Sequence, residues 1–232
     1  MSSIEVYNKI YAGNIEQIRS GNIEIDHFLA TRENDARRGI SLIISVKQIL
    51  DNYKCLVGDF LNIESDQYYY PFEDLHITIF DFIQGTVNYQ RNDVLESLFL
   101  DISQNAADSL ESFKIQMKGI VFSKAAGIIK GYDNNKLVSI RKKIRELLIT
   151  HQIKNDERYE SESAHVTFTR FRSNIKNPII LCEIIKKNME VELGEEQITN
   201  LELVEHDWYN SFHTKRIIGR VQLRNLFNST GG

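Results

Sequence analysis

The sequence predicts an α+β fold, duplicated and bilobal, in which two antiparallel-rich sheets flank a central cleft and the helices pack outside. Three observations point to it. A strand-like segment bearing a His-x-Thr triplet occurs at residues 75–82 and again at 164–171. Each is followed by a stretch with helical spacing and then by two strand-like runs close enough to form a hairpin. Hairpins rather than parallel crossovers therefore supply most neighbouring strands. Two copies without a short period make one pseudo-symmetric domain, not a solenoid.

Residues 4–20 place Ile4, Tyr7, Ile10, Tyr11, Ile15 and Ile18 at helical spacing, and Gly21-Asn22 with the charged stretch to Arg38 reads as a looped entry. Residues 1–38 are thus expected to be an N-terminal helical and loop extension, 39–226 the pseudo-symmetric domain, and 227–232 a C-terminal tail. After Gly39 the β-branched run 40–46 predicts a strand, and 46–60 returns to helical spacing. In 75–82, Ile77 and Ile79 alternate with His76 and Thr78, so the two polar residues share one face. Residues 91–110 read as a helix, 113–122 with 126–132 as a hairpin, and 135–149 as an amphipathic helix. In 164–171, His165, Thr167 and Thr169 share a face; 178–193 reads as a helix, and 198–206 with 215–224 as the second hairpin. Pro71 and Pro178 are the only prolines, and no flexible interdomain linker is visible.

Hydrophobic residues make up 42% and charged residues 26% of the 232, the balance of an ordinary soluble globular chain. A formal charge of −4 argues against a surface that tracks long duplex nucleic acid, but leaves room for a small phosphate-bearing ligand. No stretch approaches the run of about 18 apolar residues that a membrane span needs, and the start lacks a basic then apolar leader, so a cytoplasmic protein without a membrane partner is expected. Cys55 and Cys182 sit in apolar segments without CxxC or clustered His spacing and read as buried thiols; neither a metal nor another cofactor is expected. The basic runs Arg141-Lys142-Lys143 and Lys186-Lys187 fall on amphipathic patterns and read as solvated faces. No heptad or exposed apolar stripe speaks to the oligomeric state.

Six histidines and nine threonines placed at random in this chain would produce roughly 0.2 His-x-Thr triplets. Two are present, in matching strand contexts, which singles out His76, Thr78, His165 and Thr167. His27, His151, His206 and His213 lack such a context and read as structural. Cleaving a phosphodiester needs a base for the attacking water or hydroxyl and an acid for the departing oxygen, and imidazole serves both near neutral pH. A threonine two residues on projects from the same face and can donate to a non-bridging phosphate oxygen.

Paired His-x-Thr strands about 90 residues apart in a duplicated α+β chain resemble the 2H phosphoesterase superfamily, which includes the 2′-5′ RNA ligase-like and cyclic phosphodiesterase proteins. The resemblance spans roughly residues 39–226, and Arg170 after Thr169 looks like the arginine that often follows the second motif. It implies a catalytic pair, His76 and His165, with Thr78 and Thr167 on the phosphate. It also implies hydrolysis without a metal of a 2′,3′-cyclic phosphate or 2′-5′ linkage in an RNA end or a small nucleotide. The extension before Gly39 is more typical of a bacterial branch, some members of which are labelled mutarotase-like. A cyclic-oligonucleotide phosphodiesterase, a nucleotide-binding module without catalysis and a sugar isomerase remain alternatives. Strict alternation puts Arg170 on the face opposite His165 unless the strand bulges near Thr169. Tyr70, Trp208 and Tyr209 read either as base-stacking contacts or as packing residues.

Overall fold

Alternation of apolar and polar residues is realised, among the described residues, in nine strands with five α-helices between them. The computed structural model describes residues 2–155, 157 and 160–224; the expected tail 227–232 and the last two residues of the expected domain lie outside them. In chain order the elements are α1 (Ser3–Arg19), β1 (Arg38–Ser45), α2 (Leu50–Leu61), β2 (Tyr68–Tyr69), β3 (His76–Thr86), α3 (Asp93–Ala107) and β4 (Phe113–Phe122). Then follow β5 (Ala126–Tyr132), α4 (Lys136–Thr150), β6 (Val166–Arg170), α5 (Pro178–Lys187), β7 (Glu192–Ile198), β8 (Asn200–His206) and β9 (Arg216–Gln222). Short 3-10 turns cover His27–Asn34 and Phe72–Asp74.

The strands run β7-β4-β5-β6-β3-β1-β8-β9, with β2 added beside β6. Every pairing between these strands is antiparallel. The two expected half-sheets meet at one pair, Ile77 opposite Val166, and are thereby continuous as a curled sheet. Each half draws on both copies of the repeat. The β4–β5 hairpin follows the first His-x-Thr triplet in sequence but pairs with β6, which follows the second triplet's histidine. The β8–β9 hairpin follows the second triplet and joins β3, the first triplet's strand, through β1.

On one face Ile40, Leu42, Ile44, Ile77, Ile79, Leu201 and Leu203 enter a single apolar core with α2 to α5 residues such as Phe60, Phe99, Ile144 and Leu181. The helices therefore cover this face, and the triplet side chains look out of the other. Helix α1 starts at a capping box, in which Ser2 Oγ accepts from Glu5 N–H and Glu5 accepts from Ser2 N–H. Its Tyr7 packs with Val121 and Ile128 in a separate cluster. Ile128 lies opposite Thr167, so α1 covers the triplet-bearing face of the β4–β5 half.

Three expectations are corrected. Helix α5 ends at Lys187 rather than 193, and 192–198 is a strand, because Leu193, Glu196 and Ile198 are buried between exposed residues while Gly194, at φ +120°, interrupts the alternation. Cys55 is exposed, whereas Cys182 is buried as expected. Arg141 is 1% exposed rather than solvated; Lys142, Lys143, Lys186 and Lys187 do face solvent.

Candidate active site

Antiparallel pairing with Ile77 opposite Val166 puts His76 beside Thr167 and Thr78 beside His165, on the face away from the core. The two triplets thus form a four-cornered patch around a local two-fold axis. Ile77 and Val166 anchor it from behind, both fully buried, while all four patch residues are half-buried.

Both imidazoles are held by the same ring nitrogen. His76 Nδ1 lies 2.8 Å from the Asp74 carbonyl, and His165 Nδ1 lies 2.8 Å from Ser163 Oγ. A carbonyl only accepts, so His76 Nδ1 carries the proton when the ring is neutral, leaving Nε2 as the reactive lone pair. Asp74 is itself fixed: its carbonyl accepts from Asn210 Nδ2 at 3.3 Å and its carboxylate from Phe212 N–H at 2.7 Å. Desolvation in the cleft wall pushes His76 down to about 3, against the pull of the Asp74 carbonyl and with help from His206, Lys215 and His165. Desolvation likewise lowers His165 to about 4, with Arg141 and Arg170 adding to it. Neutral imidazoles suit the base role; the acid role requires an anion in the cleft to draw a proton onto one of them.

Arg141 holds the two strands at their divergence. Its Nε donates to the Ile79 carbonyl at 2.8 Å, and its Nη2 donates to the Thr78 and Ser163 carbonyls at 3.0 and 2.9 Å. β3 and β6 separate beyond their one pair, which would leave these carbonyls without ladder partners; the guanidinium supplies them. Gly131 serves the same junction, because a Cβ there would lie 1.8 Å from the Ala164 carbonyl, one residue before His165. No sequence pattern marks either residue for this role.

The open face beside His76 carries a second polar group. Ser41, opposite Asp81, donates to it at 2.6 Å, and Ser41 Oγ lies 2.6 Å from His206 Nε2, whose Nδ1 lies 2.6 Å from the Asp207 carbonyl. Burial raises the Asp81 carboxyl and lowers the His206 imidazole. A register shift between Leu42 and Ile43 lets Ile79 and Phe80 both enter the core and turns Asp81 to this face, which strict alternation hides. Among the described residues, no three His, Cys, Asp or Glu side chains converge as a metal shell would require.

No family model and no curated protein matches the sequence. Solved structures do share the architecture. The protein TT0787 of Thermus thermophilus superposes with a TM-score of 0.57 at 13% identity, over 82% of this chain and 99% of that one. E. coli LigT, solved in complex with 3′-AMP, superposes with a TM-score of 0.55 at 9% identity, over 81% and 98%. The chain has the LigT-like 2H phosphoesterase fold. A protein of unknown function from Agrobacterium tumefaciens, ATU0111, superposes as well, with a TM-score of 0.55 and 13% identity over 88% and 98%.

Two aromatic candidates, Tyr70 and Tyr209, are corrected to packing residues. Tyr70 and Tyr209 are 3% and 1% exposed. Their hydroxyls are held by Arg170 and by Asp26, respectively. Half-buried Trp208 has Arg37 over its ring, 4.2 Å from the centroid, and Gly85 so close that a Cβ there would lie 2.9 Å from the ring. Opposite β6, one step on β5 from Gly127 to Ile128 spans two residues, Thr169 to Thr167, so the strand is bulged and Arg170 escapes strict alternation. Its Nε donates to Tyr70 Oη at 2.8 Å and its Nη1 lies 3.9 Å from Asp26, tying the N-terminal segment to the end of the second triplet's strand.

Proposed function

We propose that the protein is a phosphodiesterase that hydrolyses a 2′,3′-cyclic phosphate or a 2′-5′ phosphodiester, in an RNA end or a small nucleotide, using His76 and His165 as paired base and acid without a metal. The observation that supports this reading is the four-cornered patch, with each imidazole anchored through Nδ1. The threonine hydroxyls, which make no protein hydrogen bond among the described residues, are available to the non-bridging phosphate oxygens.

In the reaction one histidine removes a proton from water as the water oxygen bonds to phosphorus. The phosphorus bond to the 2′ or 3′ ribose oxygen breaks, and the other histidine protonates that oxygen. The diester becomes a monoester and an alcohol with one water consumed, and exchange with solvent resets both imidazoles.

Hydrolysis of 2′,3′-cyclic nucleotides and short 2′-5′ oligonucleotides in excess chelator tests this. Wild type should turn over, and His76→Ala and His165→Ala should each lose a factor of about 10² to 10⁴ in kcat. Turnover that survives both substitutions would overturn the histidine assignment. Tight nucleotide binding without product would favour a binding module, and activity on sugar anomers alone an isomerase.

A further inference from the structure

The local two-fold axis relates the two triplets but not their surroundings. Helix α1 lies on the triplet-bearing face of the β4–β5 half, where Tyr7, Val121 and Ile128 pack together. The matching face of the β1–β8–β9 half carries Ser41, Ser45, Glu202 and His206 instead, since Ser41 bonds His206, and Ser45 Oγ donates to Glu202 at 2.8 Å. A ligand gripped at the triplets therefore has its remaining bulk directed over this second half.

A partly buried lysine lies there. Lys215 directly precedes β9, whose first residue Arg216 pairs with Glu205, and its N–H donates to the Ser211 carbonyl at 2.9 Å. Arg216 bonds Glu96 of α3 on the helix side, whereas the Lys215 charge bears on His76 and His206 of the open face. Every other lysine among the described residues is exposed or, like Lys118, Lys124 and Lys130, ion-paired. Lys215 is partly buried and makes no ion pair among the described residues. The carboxylates that bear on it, Glu202 and Asp74, have cations of their own: Arg220 at 3.2 Å and Arg32 at 3.7 Å. Desolvation lowers the Lys215 ammonium, the strain of a charge held away from water without a full partner. A cavity of about 220 Å³ opens next to Glu202, lined by Ser45, Lys47, Gln48 and Asn200.

We propose that Lys215 binds a second anionic group of the substrate, a phosphate one sugar away from the scissile diester, so that the enzyme selects nucleotides carrying two phosphates over those carrying one. This rests on the phosphodiesterase reading for turnover, but its binding component does not. A charge-assisted contact of this kind typically contributes a factor of about ten or more in affinity.

The test compares kcat/KM for a nucleoside 2′,3′-cyclic phosphate with and without a 5′-phosphate, in wild type, Lys215→Met and Lys215→Arg. Wild type should prefer the 5′-phosphorylated substrate about tenfold or more. Lys215→Met should abolish the preference, and Lys215→Arg should retain most of it. A preference absent from wild type, or unchanged in Lys215→Met, would overturn the proposal. Calorimetric titration of adenosine 3′,5′-bisphosphate against adenosine 3′-monophosphate gives a second readout, independent of catalysis. If wild type turns over neither substrate yet binds the bisphosphate more tightly, with the difference lost in Lys215→Met, the catalytic reading fails and the Lys215 site stands. Equal affinities would sink the site itself.

Discussion

At the scale of single residues, the enclosure of both imidazoles dictates how binding responds to pH. His76 and His165, lowered to about 3 and about 4, are neutral at neutral pH. An anion seated between them favours the charged form and raises their affinity for protons. Binding should therefore take up a proton, and affinity should rise as pH falls from about 8 to about 6. Calorimetric titration with a dinucleoside monophosphate, whose diester does not titrate in that range, measures this. The binding heat should vary with the ionisation enthalpy of the buffer, and a buffer-independent heat would contradict it. Stability has a related sign. A histidine whose folded pKa is depressed contributes fully above its unfolded value of about 6.5, and the contribution is lost as pH falls through that window towards the folded value.

Among elements, the junction of β3 and β6 is the point on which the site depends. One pair joins the half-sheets, and the carbonyls freed by their divergence are taken up by Arg141 from α4. Replacing Arg141 with Met leaves three carbonyls without donors in a closed interior, at a cost of about 3 kcal/mol or more in unfolding free energy by urea titration. Arg141→Lys keeps a charge but not the planar fork that spans both strands. It should fold and lose kcat with little change in KM, because the two histidines lose their relative placement while the ligand contacts remain. Wild-type stability in Arg141→Met would show that the clamp carries no weight. Helix α1 acts at the same scale: the Tyr7 hydroxyl donates to the Gly131 carbonyl at 3.0 Å and accepts from Gly131 N–H at 3.1 Å, pinning the extension to the strand beside His165.

Taken whole, the molecule exchanges hairpins between its repeated halves. Neither copy of the repeat owns a complete half-sheet, since β8 and β9 complete the half that holds β3, and β4 and β5 complete the half that holds β6. The core runs unbroken from Leu42 and Phe99 to Ile144 and Leu181. Unfolding should accordingly be one cooperative transition despite the duplication. Far-ultraviolet circular dichroism and the fluorescence of Trp208 should report the same midpoint in urea; two separated midpoints would mean that the halves are independent units.

Alternation and residue chemistry were enough to read the α+β class, the two hairpins and the four triplet residues, because faces and element types follow from short-range spacing. Strand β7 escaped for a local reason: its glutamates and the Gly194 interruption blur the period of two. The rest depended on contacts distant in sequence. Arg141 has the composition of a surface residue, and only the gap between β3 and β6 turns it inward. Tyr70 and Tyr209 are aromatic in any reading, but burial and their hydrogen-bond partners decided that they pack. Asp81 and His206 reach the open face through a register shift and through pairing between residues far apart in the chain, and Lys215 through the turn that precedes β9. Spacing along a strand is a property of the backbone and visible in sequence; which strands become neighbours is set by the packing of the whole core, and that decided which half of the cleft stayed open.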